Sequence, residues 1–324
     1  MLGDQFLLLL SYMLIFATSL SFVALGGMFS ERSGIINIGL EGIMVVGGFT
    51  GLLVLNGLLG AGVPSVLIII ITILSSIIAG ILYSLLLAVV AIEFKADQTL
   101  AGTALNLLAT AVAIIFTKRL SGGASTSIHY QKDIFVFSFG PFSFNIFLFI
   151  AIAVIIVSFF VLYKFRFGLR LRACGENPSA ADSVGINVKF YRYMGVIISG
   201  GLAGLGSLAY ILPTQSFWNS ASGVSGFGFL ALAIMIFGQW KPIRISIISL
   251  VFSFFLALSY VYSGIFEALL GFSLTAEHGV TSELFKMLPF IASLILLTFT
   301  SKRSRAPKAE GIPYDKSVRY LSLG

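Results

Sequence analysis

Along this chain the hydrophobic and polar positions alternate on a coarse scale. Apolar runs, each near the roughly 20 residues that a helix needs to cross a bilayer, are separated by shorter polar stretches from one end to the other. The pattern predicts nine spanning segments, at approximately 6–27, 36–58, 65–92, 98–117, 143–163, 192–212, 223–239, 244–262 and 284–300. The segment 223–239 is short and 36–58 is punctuated by glycine, which makes both candidates for broken helices. The first run is too long for a cleaved secretion signal, and Asp4 stands where such a signal is basic. The expectation is an all-α polytopic membrane protein, with a transmembrane domain over 1–300 and a basic tail over 301–324.

Composition sharpens this reading. The chain is 58% hydrophobic and only 10% charged, with a mean hydropathy of +1.03, whereas a soluble domain carries about 25% charged residues. The lone Cys174 rules out an internal disulfide, and His129 and His278 form no HExxH pair, so no metal site is expected. A GxxxxGK[ST] phosphate loop is also missing, so this chain holds no ATP by that route.

The net charge of +7 is a statement about topology rather than about nucleic acid. Lys and Arg are retained on the cytoplasmic side of membranes. With the tail inside and nine spans alternating, sixteen of the basic residues fall inside and four (Lys118, Arg119, Lys132 and Lys286) outside. The N-terminus is then outside and the C-terminus cytoplasmic. The longer loops, 118–142, 164–191 and 263–283, are too short to fold alone, so soluble machinery must come from partners.

Two glycine-punctuated segments, GLEGIMVVGGFTG from Gly39 and GVSGFGFLALAIMIFG from Gly223, occupy corresponding halves of the chain. Interrupted helices at matching positions are the sequence mark of an inverted repeat with a transport site near the bilayer midplane.

Within the spans, Asn37 and Glu41 share one helical face. An ionisable group at the centre of a membrane helix costs about 2.5–3.5 kcal/mol on insertion scales and usually faces the bundle interior or a watery route. The pair either lines a polar path for a hydrogen-bonding solute or bonds neighbouring helices together. Thr99, Thr103, Asn106 and Thr110 form a polar stripe that lines a conduit or bonds to a neighbour, and the conduit is favoured because the stripe runs for three turns. Phe217 and Trp218 read as headgroup-level aromatics, with stacking on a flat solute at a pathway entrance as the alternative. Gly47 with Gly51 and Gly200 with Gly204 are GxxxG pairs, the spacing that lets membrane helices approach closely.

The loop 164–191 opens with Lys164, Arg166, Arg170 and Arg172, which suit anionic lipid. Next comes ENPSAADSVGI. Asn177 before Pro178 disfavours helix, Pro178 suits a first helical position, and Gly185 ends one or two turns. A short helix of small residues on the inner face is expected to be a docking element.

Three stretches together resemble a known family: ERSGIINIGLEGIMVVGGFTG (31–51), ACGENPSAADSVGINV (173–188) with ISGGLAGLGSLAYIL (198–212), and GFGFLALAIMIFGQWKP (226–242). They are similar to the membrane permeases of ABC importers that serve branched-chain amino acids, simple sugars and nucleosides, and the form ERSGxxNIGLEG most resembles the purine nucleoside (guanosine-type) branch. The resemblance covers roughly 1–300 and implies a bacterial cytoplasmic (inner) membrane location. It also implies a heterodimer with a second, related permease and an extracytoplasmic solute-binding protein, often a lipoprotein. A cytoplasmic ABC ATPase is implied to use ATP–Mg and to dock on Gly175, Glu176, Asn177, Pro178, Ala180, Ala181 and Gly185. The chain itself is then a transport subunit that binds no cofactor and is not an enzyme. Simple sugars or branched-chain amino acids are the alternative solutes, and a secondary transporter is disfavoured because Glu41 is a lone buried acid. An intramembrane enzyme is disfavoured because no catalytic cluster is present. The resemblance assigns the basic tail no role, and a solvated anchor at the lipid surface is the plain expectation.

Overall fold

A computed structural model describes residues 2–123, 125–131, 133–139, 142–214, 217–270, 287, 291 and 306–315. In chain order the helices are α1 (Leu2–Arg32), α2 (Leu40–Leu59), α3 (Ser65–Ile92), α4 (Gln98–Leu120), α5 (Ile146–Tyr163), α6 (Arg166–Glu176), α7 (Pro178–Ser183), α8 (Val188–Thr214), α9 (Phe227–Phe237) and α10 (Pro242–Leu270). Among the described residues, seven of these (α1–α5, α8 and α10) are long and apolar enough to cross a membrane. The helix α9 is apolar but only 11 residues long. The expected segment 284–300 lies outside the described residues.

The loop expected at 118–142 is more ordered than its composition suggests. Within and just after it lie β1 (Ser127–His129), β2 (Val136–Phe139) and β3 (Phe142–Asn145), while β4 (Phe217–Asn219) follows α8. The strands β2 and β3 form an antiparallel hairpin, and β1 pairs antiparallel with β4, Ile128 opposite Trp218. This small cap closes the end of the bundle opposite α6 and α7. Asn56 at the end of α2 ties into it by donating to the His129 carbonyl at 2.8 Å.

The centre of the bundle is α8. It packs on α1, α2 and α3, and its most apolar stretch is 83% buried, against 17% for α4 and 22% for α3. In lipid no hydrophobic drive brings helices together, so close approach must come from small residues and hydrogen bonds. Gly47 meets α8 so tightly that a methyl there would sit 2.7 Å from the Gly204 Cα. Gly51 faces Leu208 at 2.8 Å by the same measure, and Gly200 and Gly204 lie against Ser84 and the Ser76 carbonyl of α3. Hydroxyls complete the seams: Ser76 donates to the Gly204 carbonyl and Ser19 to that of Gly206, both at 2.7 Å.

The break expected in 36–58 lies before the helix rather than inside it. Residues 35–39 are non-helical, and α2 then runs unbroken from Leu40. Gly34 turns the chain there with φ +98°, a left-handed conformation that suits glycine. A similar turn precedes α9, where Ser225 and Gly226 have φ of +56° and +81°.

Candidate functional site

Both α2 and α9 begin inside the bundle, where the first N–H groups of a helix have no partner within it. Neither start is capped by its own N-cap side chain, because both N-cap residues are glycines, Gly39 and Gly226. Other helices supply the acceptors. Glu41, in the first turn of α2, receives the Gly226 N–H on Oε1 at 2.8 Å and the Gly228 N–H on Oε2 at 2.7 Å. Its carboxylate thus caps α9, at the positive end of that helix's dipole. Asn106 of α4 does the reverse job for α2. Its Oδ1 accepts from the Gly42 N–H at 2.7 Å, and its Nδ2 donates to the Ile38 carbonyl at 2.9 Å.

The glycines at these joints are needed for space. A methyl on Gly228 would sit 2.5 Å from the Glu41 Cα, and one on Gly42 2.9 Å from the Asn106 Cα. Asn37 is fully buried in the preceding turn and donates to the Ser199 hydroxyl of α8 at 2.9 Å. Among the described residues its Oδ1 meets no donor. Gln98 joins the group by accepting the Ile36 N–H at 2.7 Å. An aromatic cluster adjoins it, with Tyr210 and Phe227 ring centroids 4.1 Å apart and Phe16 5.7 Å from Phe227.

The structure therefore brings Asn37, Glu41 and Asn106 together around two helix starts. It does not bring the rest of the polar stripe there. Thr99 and Thr103 face outward from α4, and the Thr103 hydroxyl bonds back to the carbonyls of Thr99 and Leu100 at 3.0 and 2.9 Å. Phe217 is exposed beside His129. Trp218, in β4 of the cap, is buried, donates to the Gly223 carbonyl at 2.7 Å and lies against Phe49.

At the other end the basic stretch of the 164–191 loop is a helix, α6, which the reading of its arginines as lipid anchors missed. The signal was present: Leu169, Leu171 and Cys174 give it apolar positions, of which Leu171 and Cys174 are buried. Burial pushes the Cys174 thiol up to about 11, so it is an inert core group. The short helix α7 follows as its sequence predicts. Asn177 accepts the Ala180 N–H at 3.0 Å, Pro178 opens the helix, and Gly185 leaves it at φ +81°. Ala181 is buried, while Ser179, Ala180, Ser183 and Val184 are exposed, Val184 by 75%. Glu176 lies 3.8 Å from Arg32, and Gly175 abuts the Arg32 carbonyl.

Sequence reasoning also missed a buried cluster at this end. Trp240 donates its indole N–H to Glu31 at 2.6 Å, and the Trp240 carbonyl accepts from Arg32 at 3.2–3.3 Å. Arg192 is 1% exposed within α8, although its sequence position suggested a surface charge.

Compared with known proteins, residues 9–297 match the family described as "Branched-chain amino acid transport system / permease component". The chain is 38% identical to the "Guanosine ABC transporter permease protein NupQ" of Bacillus subtilis, over 94% of this chain and 96% of that one. It is also 38% identical to the "Nucleoside ABC transporter permease protein NupC" of Lactococcus lactis, over 96% of this chain and 97% of that one. A third relative, the "Nucleoside ABC transporter permease protein NupB" of the same species, is 31% identical over 29% of this chain and 26% of its own length.

Proposed function

We infer a transport role from a plain premise: the chain belongs to the permease family of branched-chain amino acid transport systems. It is a multi-pass membrane subunit of an ABC importer, and we propose that its solutes are nucleosides. The observation that carries this reading is the 38% identity, over nearly the whole length of each chain, to two permeases named for guanosine and for nucleosides.

The geometry suits such a solute. A nucleoside offers many hydrogen-bonding atoms and a flat apolar face, and the site juxtaposes Glu41, Asn37 and Asn106 with a cluster of aromatic rings. In the present conformation those polar groups close two helix starts. The proposed cycle moves α9 away from α2, frees the Glu41 carboxylate and the N–H groups of Gly226 and Gly228, and lets the passing solute take their hydrogen bonds. Asn37, Glu41, Thr99, Thr103, Asn106, Phe217 and Trp218 are the proposed pathway. Thr99 and Thr103 face outward from this chain, which fits a route shared with a second permease. That Lactococcus lactis has both NupC and NupB is in keeping with such a pair.

The driving step lies outside this chain. A cytoplasmic ATPase that uses ATP–Mg would grip α7 through Gly175, Glu176, Asn177, Pro178, Ala180, Ala181 and Gly185, and the exposed Val184 gives it an apolar anchor. An extracytoplasmic binding protein, a lipoprotein in this reading, would deliver the solute at the end capped by the strands. The proposal places the chain in a bacterial cytoplasmic membrane with nine spans, the N-terminus outside, the tail inside and α2 and α9 as matching members of an inverted repeat. Two features support that orientation and repeat. Contacts tie Arg32, Lys95, Lys189 and Arg192 to the end that holds α6 and α7, and both α2 and α9 begin at a glycine N-cap inside the bundle.

The test is uptake of radiolabelled guanosine and adenosine in cells with and without this gene, competed by unlabelled uridine, ribose or leucine. Loss of uptake on deletion, with competition by the nucleoside alone, is the expected result. Unchanged nucleoside uptake, or competition by ribose or leucine, would overturn the solute assignment.

A further inference from the structure

The tail, expected to be a solvated anchor, is instead packed into the α6–α7 end over residues 306–315. Its backbone is held on both sides. The Ala309 N–H donates to the Gly175 carbonyl at the end of α6 at 2.8 Å, and the Gly311 N–H donates to the Gly34 carbonyl between α1 and α2 at 3.2 Å. These bonds need bare backbone at the joints. A methyl on Gly34 would lie 3.0 Å from the Arg192 guanidinium and 3.3 Å from the Ala309 carbonyl, and one on Gly311 2.8 Å from Ile36. Gly311 also turns at φ +74°, where a side chain is strained.

Side chains fasten the same segment at three further points. Glu310 packs beside Glu31, and burial raises the Glu310 carboxyl above its usual range, which favours its protonated form next to that second acid. The Tyr314 ring lies 6.0 Å from the Arg192 guanidinium. Asp315 pairs with Lys95 in the turn between α3 and α4. Tyr314 and Asp315 also form one wall of an open cleft of about 540 Å³, whose other walls include Asp182, Gly185, Asn187 and Lys189 around the end of α7.

We propose that residues 306–315 are a strap that links the docking helix to the gate. The strap joins Gly175, two residues before Asn177 caps α7, to the turn that leads through Asn37 into α2 and Glu41. A partner that pushes on α7 therefore also moves the α1–α2 turn through two backbone hydrogen bonds and the Glu31–Glu310 pair. The surface that the ATPase grips is composite, with α7 on one side of the cleft and Tyr314 and Asp315 of the strap on the other. This inference rests on the reading of α7 as the ATPase docking element.

The experiment uses the complete importer in proteoliposomes, with solute uptake and ATP hydrolysis read from the same vesicles. A chain lacking residues 306–324 and the point variant Gly311→Val both lift the strap, and Lys308→Gln changes an exposed strap residue that makes no contact the inference uses. The expected result is an assembled complex that still hydrolyses ATP, with solute moved per ATP at least about fivefold lower in the two strap variants, the lower bound of ordinary coupling energies, and unchanged in Lys308→Gln. If the truncated chain does not assemble, Gly311→Val carries the test. Wild-type uptake per ATP in the strap variants would overturn the inference, as would a proportional fall of uptake and hydrolysis, which marks a merely structural tail. A wild-type complex that shows no ATP-driven uptake would overturn the parent reading instead.

Discussion

At the scale of single residues, Glu41 and Asn106 are caps supplied from other helices. Truncating Asn106 to Ala strands the Gly42 N–H and the Ile38 carbonyl inside the bundle, and each buried unpaired group costs about 1–3 kcal/mol. Thermal unfolding in detergent should show Asn106→Ala clearly destabilised, and Glu41→Gln less so because it keeps one acceptor. If both groups also serve the solute, the apparent KM for uptake should rise in Glu41→Gln, a change that a lower protein level does not produce. A destabilised variant with wild-type KM would leave Glu41 as a cap alone. Glu310 gives a prediction with a sign. Burial holds its carboxyl above the usual range, opposed by the hydrogen bond with Glu31 and by the Arg32 charge. The docked strap therefore favours protonated Glu310, so docking is firm at acid pH and loosens as pH rises through the raised pKa. Around this group stand the Glu31 carboxyl, the Arg32 guanidinium and the Trp240 indole. Limited proteolysis of the tail should quicken as the pH is raised above about 4.5, and Glu310→Gln should flatten that rise.

At the scale of elements, the small-residue seams decide which helices touch. Gly204 and Gly201 are neighbours on α8 with different surroundings. A methyl on Gly204 runs into the Ser76 carbonyl, while one on Gly201 finds ordinary contact with Ile77 at 3.4 Å. Gly204→Ala should therefore cost about 1–3 kcal/mol through overpacking. Gly201→Ala should be neutral, or stabilising by about 0.5–1 kcal/mol from helix propensity. Melting temperatures of the two purified variants check this, and equal values would contradict the seam. The GxxxG pairs were readable because lipid permits little else at a tight crossing. The helix α7 was readable to within a residue because Asn177, Pro178 and Gly185 each act locally. By contrast, α6 was hidden by its arginines, whose charge fits both a lipid anchor and the outer face of a helix. The short strands of the cap were hidden too, since three or four residues carry no usable period.

For the whole molecule, the sequence made the membrane class plain, and eight of the nine predicted segments are helices among the described residues. Which polar residues would meet was not legible. Asn37 and Glu41 were read as one pair and Asn106 as part of a separate stripe, and the bonding of Glu41 to Gly226 and Gly228 joins positions far apart in the chain that no local pattern encodes. The strap was invisible for the same reason. Its Lys308 and neighbouring bases look like a solvated tail, and the groups that hold it, Gly34, Gly175 and Glu31, lie far upstream.

That order along the chain has a consequence for biogenesis. The strap leaves the ribosome after each of its receivers, the Gly34 turn, Lys95, Gly175 and Arg192, has already been made. It can settle only once α1, α2 and α8 have been inserted with their ends on one side of the membrane and brought together with α6. A protomer with a misplaced helix offers no seat, and the segment stays open to proteases. The docked strap is thus a built-in certificate of correct insertion.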